Sequence, residues 1–195
     1  MPENFSRQFQ GPVSATRALQ QSLNVPAVQL LDHIGPEVLY ARLRNAGMVL
    51  KLPNMAKANL AIALGGIATN LESLVQGYAS LANQGEAVPN IFSDQDAPTS
   101  SSRRLLSPLG AWLVWKMLYD NPSQTMRQLQ RMGFAAKTGT SYSHRDMWTI
   151  AVSEQYTIGV WLGRPDNAPV SGHFGSYTAV PLASRIAALL PDVNY

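Results

Sequence analysis

The chain contains no cysteine. That excludes a disulfide framework, a thiolate zinc site and a cysteine nucleophile, and it is compatible with an oxidising compartment. Charge is also scarce, since 14% of the 195 residues are Asp, Glu, Lys or Arg. Fifteen basic and 12 acidic residues leave a net charge of +3, and the basic residues are scattered apart from Arg103-Arg104. So weak a bias argues against a nucleic-acid partner. Long apolar runs are missing too. "LGAWLVWKMLYD" is cut by Lys116 and falls well short of the roughly 20 residues that span a bilayer. The opening "MPENFSRQFQGP" is polar and does not read as a secretory signal. His33, His144 and His173 lie far apart in the chain, and none pairs with another at i, i+4. No metal site is expected, and nothing calls for a cofactor.

What is present is a hydrophobic fraction of 46%, enough for one ordinary core. Ser14 is a candidate N-cap for a short helix in "SATRALQQ". Pro26 disfavours a helical Val25 and predicts a bend at Ser22–Asn24, before a second helix over Ala27–His33 and a third from Pro36 to Gly47. "TNLESLVQGYASLANQG" is the strongest helical pattern. Thr69 and Glu72 have capping-box spacing, Leu71, Leu74, Val75, Tyr78 and Leu81 share a face, and Gly85 stops it. Residues 89–104 read as a polar surface loop. Ser107 as N-cap and Pro108 at the first position open a further helix that ends at Asn121-Pro122. Short runs rich in β-branched and aromatic residues follow, Met147–Val152 and Tyr156–Leu162, and predict an antiparallel hairpin. "PLASRIAALL" reads as a last helix. Helices, then adjacent strands, then a helix predict an α+β fold, with an antiparallel sheet flanked by helices.

Two short motifs carry chemistry. If Ala135–Ser141 is a strand with one free edge, Gly139 lets a ligand backbone approach. Thr138 and Thr140 add hydroxyls and Lys137 a positive charge, a combination suited to an extended peptide ending in a carboxylate. "KTGT" by itself fits a tight turn with a solvated lysine better. In "SLN", Ser22 offers a hydroxyl that can relay a proton beside a lysine, and Asn24 a carboxamide that can hold a peptide carbonyl. By itself it also fits a capped helix end. Other polar and aromatic features read as structural. Asp146 suits a turn, "ALGGIATN" a glycine pair between packed helices, and Trp112, Trp115, Trp148 and Trp161 core or sheet faces.

In this order, S-x-N then K-[ST]-G, the two motifs resemble the last two of the three active-site motifs of penicillin-binding proteins and serine β-lactamases, S-x-x-K being the first. "GPVSATRALQQSLNVPAVQLLDHIGPEVLYARLRNAGM", "ALGGIATNLESLVQGYASLANQGEAVP" and "KTGTSYSHRDMWTIAV" with "YTIGVWLGRPDN" resemble class A, bifunctional penicillin-binding proteins. "SHRDMW" and "GVWLGRPDN" are most similar to the 1C subgroup. The resemblance implies a β-lactamase/transpeptidase-like fold and a serine-type D-Ala-D-Ala transpeptidase that cross-links peptidoglycan. Its partners would be peptidoglycan stem peptides and β-lactams. It implies Ser22 as proton relay, Asn24 as the amide that places the donor peptide, and Lys137 as a source of positive potential bonded to Ser22. Thr138 and Thr140 would bind the terminal carboxylate, the Thr140 N–H would serve the oxyanion hole, and Gly139 would keep the groove open. "SGHFGSYTAVPLA" resembles a glycine-rich loop and final helix, with residues 172–178 at the rim of the cleft.

One departure stands out. Lys51, Lys57, Lys116 and Lys137 have Met48, Asn54, Leu113 and Phe134 three positions before them, so no S-x-x-K exists. Residues 1–195 are therefore expected to form one partial transpeptidase domain, the carboxy-terminal portion, without its nucleophile. The whole protein would be anchored on the periplasmic side of the bacterial inner membrane, in cell-wall synthesis complexes, with a peptidoglycan glycosyltransferase domain. The chain alone is expected to resist acylation by penicillin, and to be poorly stable if apolar helix faces are left uncovered. Two other readings stand beside this one. The first is a non-catalytic binding module of the same fold. The second is a β-lactamase-type hydrolase, disfavoured because no deacylating glutamate can be assigned.

Overall fold

In a computed structural model, residues 11–53, 56–93, 102–141, 144–164, 166, 168–169 and 175–191 are described. The fold is α+β. Helices α1 (Ala15–Gln20), α2 (Asn24–Ile34), α3 (Pro36–Asn45) and α4 (Leu71–Ala82) come first. The small hairpin β1 (Glu86–Ala87) and β2 (Arg103–Arg104), then α5 (Pro108–Tyr119) and α6 (Arg127–Arg131), lead to the sheet. Its strands β3 (Ala135–Thr140), β4 (Asp146–Val152) and β5 (Thr157–Gly163) run antiparallel in the order β3-β4-β5, and α7 (Gly175–Ala187) closes the fold.

Sheet alternation makes two different faces. Ala136 and Ala151 with Ile158 and Val160 meet Ala179, Val180, Ala183 and Ala187 of α7, with Leu129 and Phe134 completing this core. Small residues on both layers let helix and sheet approach closely. The opposite face carries Ala135, Val152 and Lys137, and α1, α4 and α5 lie over it. Ala135 and Val152 pack with Leu19, Tyr78, Leu81, Val114 and Trp115. Gly159 on this face is where α4 sits on the sheet, since a Cβ there would lie 2.5 Å from Val75 Cγ2 and 2.7 Å from Leu71 Cδ1.

Some local expectations fail for identifiable reasons. Pro26 does not exclude Val25 from a helix, because α2 already begins at Asn24. Pro26 then falls in the first turn, where a missing N–H costs no helical hydrogen bond. α4 is capped by Asn70, whose Oδ1 accepts from the Ser73 N–H at 2.9 Å. Thr69 instead donates its hydroxyl to Val49 O at 2.9 Å. Pro181 lies inside α7 rather than at its start, at an exposed position where water can take the freed carbonyl. The Gly65-Gly66 pair is a turn after a 3-10 helix, not a helix–helix contact. Gly65 has φ +88°, and a Cβ on Gly66 would come within 2.8 Å of the Ala61 backbone. Trp112 is 54% exposed and is not a core residue. Residues 172–174, expected at the cleft rim, lie outside the described residues, as does His173.

Apolar surface is left open on the helical side. Leu30, Ile34 and Val38 are exposed on α2 and α3, as are Leu109 and Leu113 on α5. An apolar cavity of about 300 Å³ lies between α1, α4 and α5, lined by Leu19, Leu43, Met48, Tyr78, Leu105 and Leu118. Burial there pushes the Tyr78 phenol up to about 12.

Candidate active site

The loop that presents Ser22 is built by the end of α1. Ser22 N–H donates to Leu19 O at 3.2 Å and Leu23 N–H to Ala18 O at 2.9 Å, and Ser22 has φ +52°. This pair of bonds around a left-handed residue is a Schellman motif, whose left-handed position usually holds glycine. A serine there carries backbone strain of about 1 kcal/mol. The bend thus comes from the helix terminus rather than from Pro26.

Two long-range contacts then fix where that loop stands. The Gln20 side chain donates to Met117 O at 2.8 Å, holding α1 on α5. The Trp115 indole N–H donates to Val152 O at 3.1 Å, holding α5 on β4. Ser22 is thereby carried to β3, where Lys137 Nζ donates to its Oγ at 2.5 Å across 115 residues of sequence. Lys137 Nζ also donates to Thr138 O at 2.8 Å. Burial beneath α1 and α5 holds the Lys137 ammonium below its ordinary range, because desolvation penalises the charged form.

β3 is an edge strand, with β4 on one side and no strand on the other among the described residues. Ser141 N–H donates to Asp146 O at 2.9 Å, so that pair is hydrogen-bonded. Antiparallel ladders alternate, hence Thr140↔Met147 and Thr138↔Thr149 are non-hydrogen-bonded pairs. The N–H groups of Thr138 and Thr140 therefore point away from β4, toward the open edge. Side-chain alternation sends Lys137 and Gly139 to the helical face and Thr138 and Thr140 to the α7 face. A Cβ on Gly139 would meet Trp148 Cβ at 3.6 Å, an ordinary contact. Internal packing alone does not require glycine there.

Ser22 and Lys137 thus meet at β3, whose open edge carries the outward N–H groups of Thr138 and Thr140. Asn24, two residues on in the first turn of α2, follows directly from the Ser22 loop. Asp146 has a structural place, accepting from the Trp161 indole at 2.9 Å, with the two tryptophan rings of β4 and β5 tilted 6.0 Å apart. Among the described residues no cluster of His, Asp or Glu is built to hold a metal. Thr149 carried no sequence signal, because a threonine within a strand looks like any β-branched residue; only its burial singles it out.

The fold is shared with solved penicillin-binding proteins. Penicillin-binding protein 1A from Haemophilus influenzae superposes with a TM-score of 0.81 at 18% identity, over 99% of this chain and 36% of that one. Penicillin-binding protein A from Mycobacterium tuberculosis, solved as an imipenem acyl-enzyme complex, gives 0.65 at 20% identity, over 97% and 51%. The chain belongs to the penicillin binding protein transpeptidase domain family, whose sequence profile matches residues 3–164. It is 40% identical over 193 residues to penicillin-binding protein 1C of Escherichia coli (strain K12), and 29% identical over 189 to penicillin-binding protein 1B of Vibrio cholerae. The chain spans about a quarter of these relatives, 24% and 23% of their lengths.

Proposed function

We propose that residues 1–195 are part of one peptidoglycan D-Ala-D-Ala transpeptidase domain and form its donor-binding edge. The observation that carries this reading is the half-buried Lys137 ammonium on the Ser22 hydroxyl at the open edge of β3. A lysine whose affinity for its proton is weakened by burial, paired with a hydroxyl, is suited to pass a proton to and from a reacting group. An extended stem peptide adds to the β3 edge as a strand. Its terminal carboxylate takes the Thr138 and Thr140 hydroxyls and the positive potential of Lys137. Asn24 holds the preceding peptide carbonyl, and the Thr140 N–H is one oxyanion donor. Gly139, which the fold leaves without a packing reason, keeps that edge clear.

Acyl transfer further needs a serine activated by a base. With no S-x-x-K among the 195 residues, this chain binds donor peptide and β-lactams without being acylated. In the whole protein an S-x-x-K segment supplies the nucleophile. Similarity to penicillin-binding protein 1C supports a bacterial cell-wall enzyme with a glycosyltransferase domain, anchored on the periplasmic side of the inner membrane. Among the described residues no helix is long and apolar enough to cross a membrane. The absent S-x-x-K also favours a second reading, a non-catalytic member of the fold that only binds.

The test has two arms. Incubation with a fluorescent penicillin followed by mass spectrometry should show no covalent adduct, and a stoichiometric one would overturn the assignment. NMR titration with acetyl-L-Lys-D-Ala-D-Ala should shift the Thr138–Thr140 amides, and a titration that leaves these amides untouched would remove the donor-edge reading.

A further inference from the structure

One buried hydroxyl in the sheet has no hydrogen-bonding role among the described residues. Thr149, in the middle of β4, is 0% exposed, and its Oγ1 has no hydrogen-bond partner among the described residues. An unpaired buried hydroxyl opposes folding. Valine has nearly the same shape without that penalty, so threonine here is a departure from what packing favours.

The strand register shows what the hydroxyl faces. Thr149 stands opposite Thr138 on β3 and Val160 on β5. The Thr138↔Thr149 pair is of the non-hydrogen-bonded kind, in which facing side chains come nearest, with Cβ atoms about 4.5–5.5 Å apart. Beyond the sheet the face is covered by α7, where Ala179, Val180 and Ala183 offer no acceptor and the Thr178 hydroxyl donates to Met147 Sδ at 3.4 Å. The threonine on the edge strand is the polar side chain that the ladder places beside Thr149.

We propose that Thr149 is a positioning residue for Thr138. When Thr138 donates its proton to a ligand carboxylate, its oxygen accepts from the Thr149 hydroxyl. A relay of two hydroxyls then ends on the anion, each bond polarising the next. Thr149 never touches the ligand. It holds Thr138 in the one side-chain rotamer that aims the proton at the open edge, and it fills its own hydrogen-bonding capacity in doing so. This role rests on reading Thr138 as a carboxylate-binding residue.

The experiment compares acetyl-L-Lys-D-Ala-D-Ala with its C-terminal amide, titrated by NMR into the full 195-residue chain and its variants. Thr149→Val should raise Tm, because the unpaired hydroxyl is gone. It should also weaken binding of the carboxylate peptide about fivefold and leave the amide unaffected. Thr149→Ser retains the hydroxyl but leaves a methyl-sized gap, so it should lower Tm and preserve the carboxylate preference. A Thr149→Val chain with the full preference, or a Thr149→Ser chain that loses it, overturns the positioning role. Thr138→Val separates the two levels. If it abolishes the preference while Thr149→Val does not, only the role of Thr149 falls. If Thr138→Val keeps the preference, or the wild-type chain has none, the carboxylate assignment falls and the positioning role with it.

Discussion

The two faces of the sheet are built to opposite specifications. Beneath α7, alanines face alanines across layers, and Leu129, Ala151, Ala179 and Ala183 are all 0% exposed. Beneath α1 and α5 the same strands carry a lysine whose charge burial disfavours, next to a serine held in a left-handed conformation. One face gains stability from close packing, whereas the other spends some of it to hold a desolvated lysine and a strained serine in place. Sites that hold strained or desolvated groups are where stability and activity come into conflict.

Substitutions can break this contrast, and the largest effect belongs to the packed face. Leu129→Ala opens a cavity in a core that cannot collapse around it and should cost about 2–5 kcal/mol, read from the denaturant midpoint at unchanged m-value. A loss below about 1 kcal/mol would mean that the α7 face is loosely packed. Lys137→Met keeps most of the stem and deletes the charge, so at neutral pH it should hold or raise Tm while abolishing binding of the donor peptide. The pH dependence has a definite sign. Because the folded pKa lies below the ordinary 10.5, the unfolded chain binds more protons between the two values, and stability rises with pH in that window. The Met variant should lose this rise. The window is best read below pH 10, since ionisation of Tyr78 opposes it as pH climbs from 10 towards about 12. The smallest change is Ser22→Gly. Glycine accepts the left-handed conformation freely but adds freedom to the unfolded chain, and these opposing effects of about 1 kcal/mol offset, so Tm should hold with the hydroxyl partner of Lys137 gone. A Tm drop of several degrees would show that the Ser22–Lys137 bond supports the fold rather than a reaction.

Much of this arrangement is legible in the chain itself. Ser107 caps α5 through its Oγ on the Gly110 N–H, with Pro108 in the first turn, because both signals act within three residues. The β4–β5 hairpin follows from β-branched and aromatic runs that stand close together. Other features required non-local information. Pro181 is tolerated because its side of α7 faces solvent, and Asn70 outcompetes Thr69 because Thr69 is drawn to Val49 twenty residues away. The cavity beneath α4 and the exposed α5 face depend on which helices meet, which periodicity within one helix does not specify.

The candidate site divides along the same line. The order and chemistry of "SLN" and "KTGT", and with them the family, were determined by sequence alone, since motif identity depends only on residue type and spacing. Tertiary structure decided that Ser22 and Lys137 meet, that the Thr138 and Thr140 amides face outward, and that Thr149 is buried opposite Thr138 with no partner among the described residues. The reason is physical. Conformational propensities act over a few residues, whereas desolvation, strand register and contact across 115 positions exist only once helices and sheet have packed.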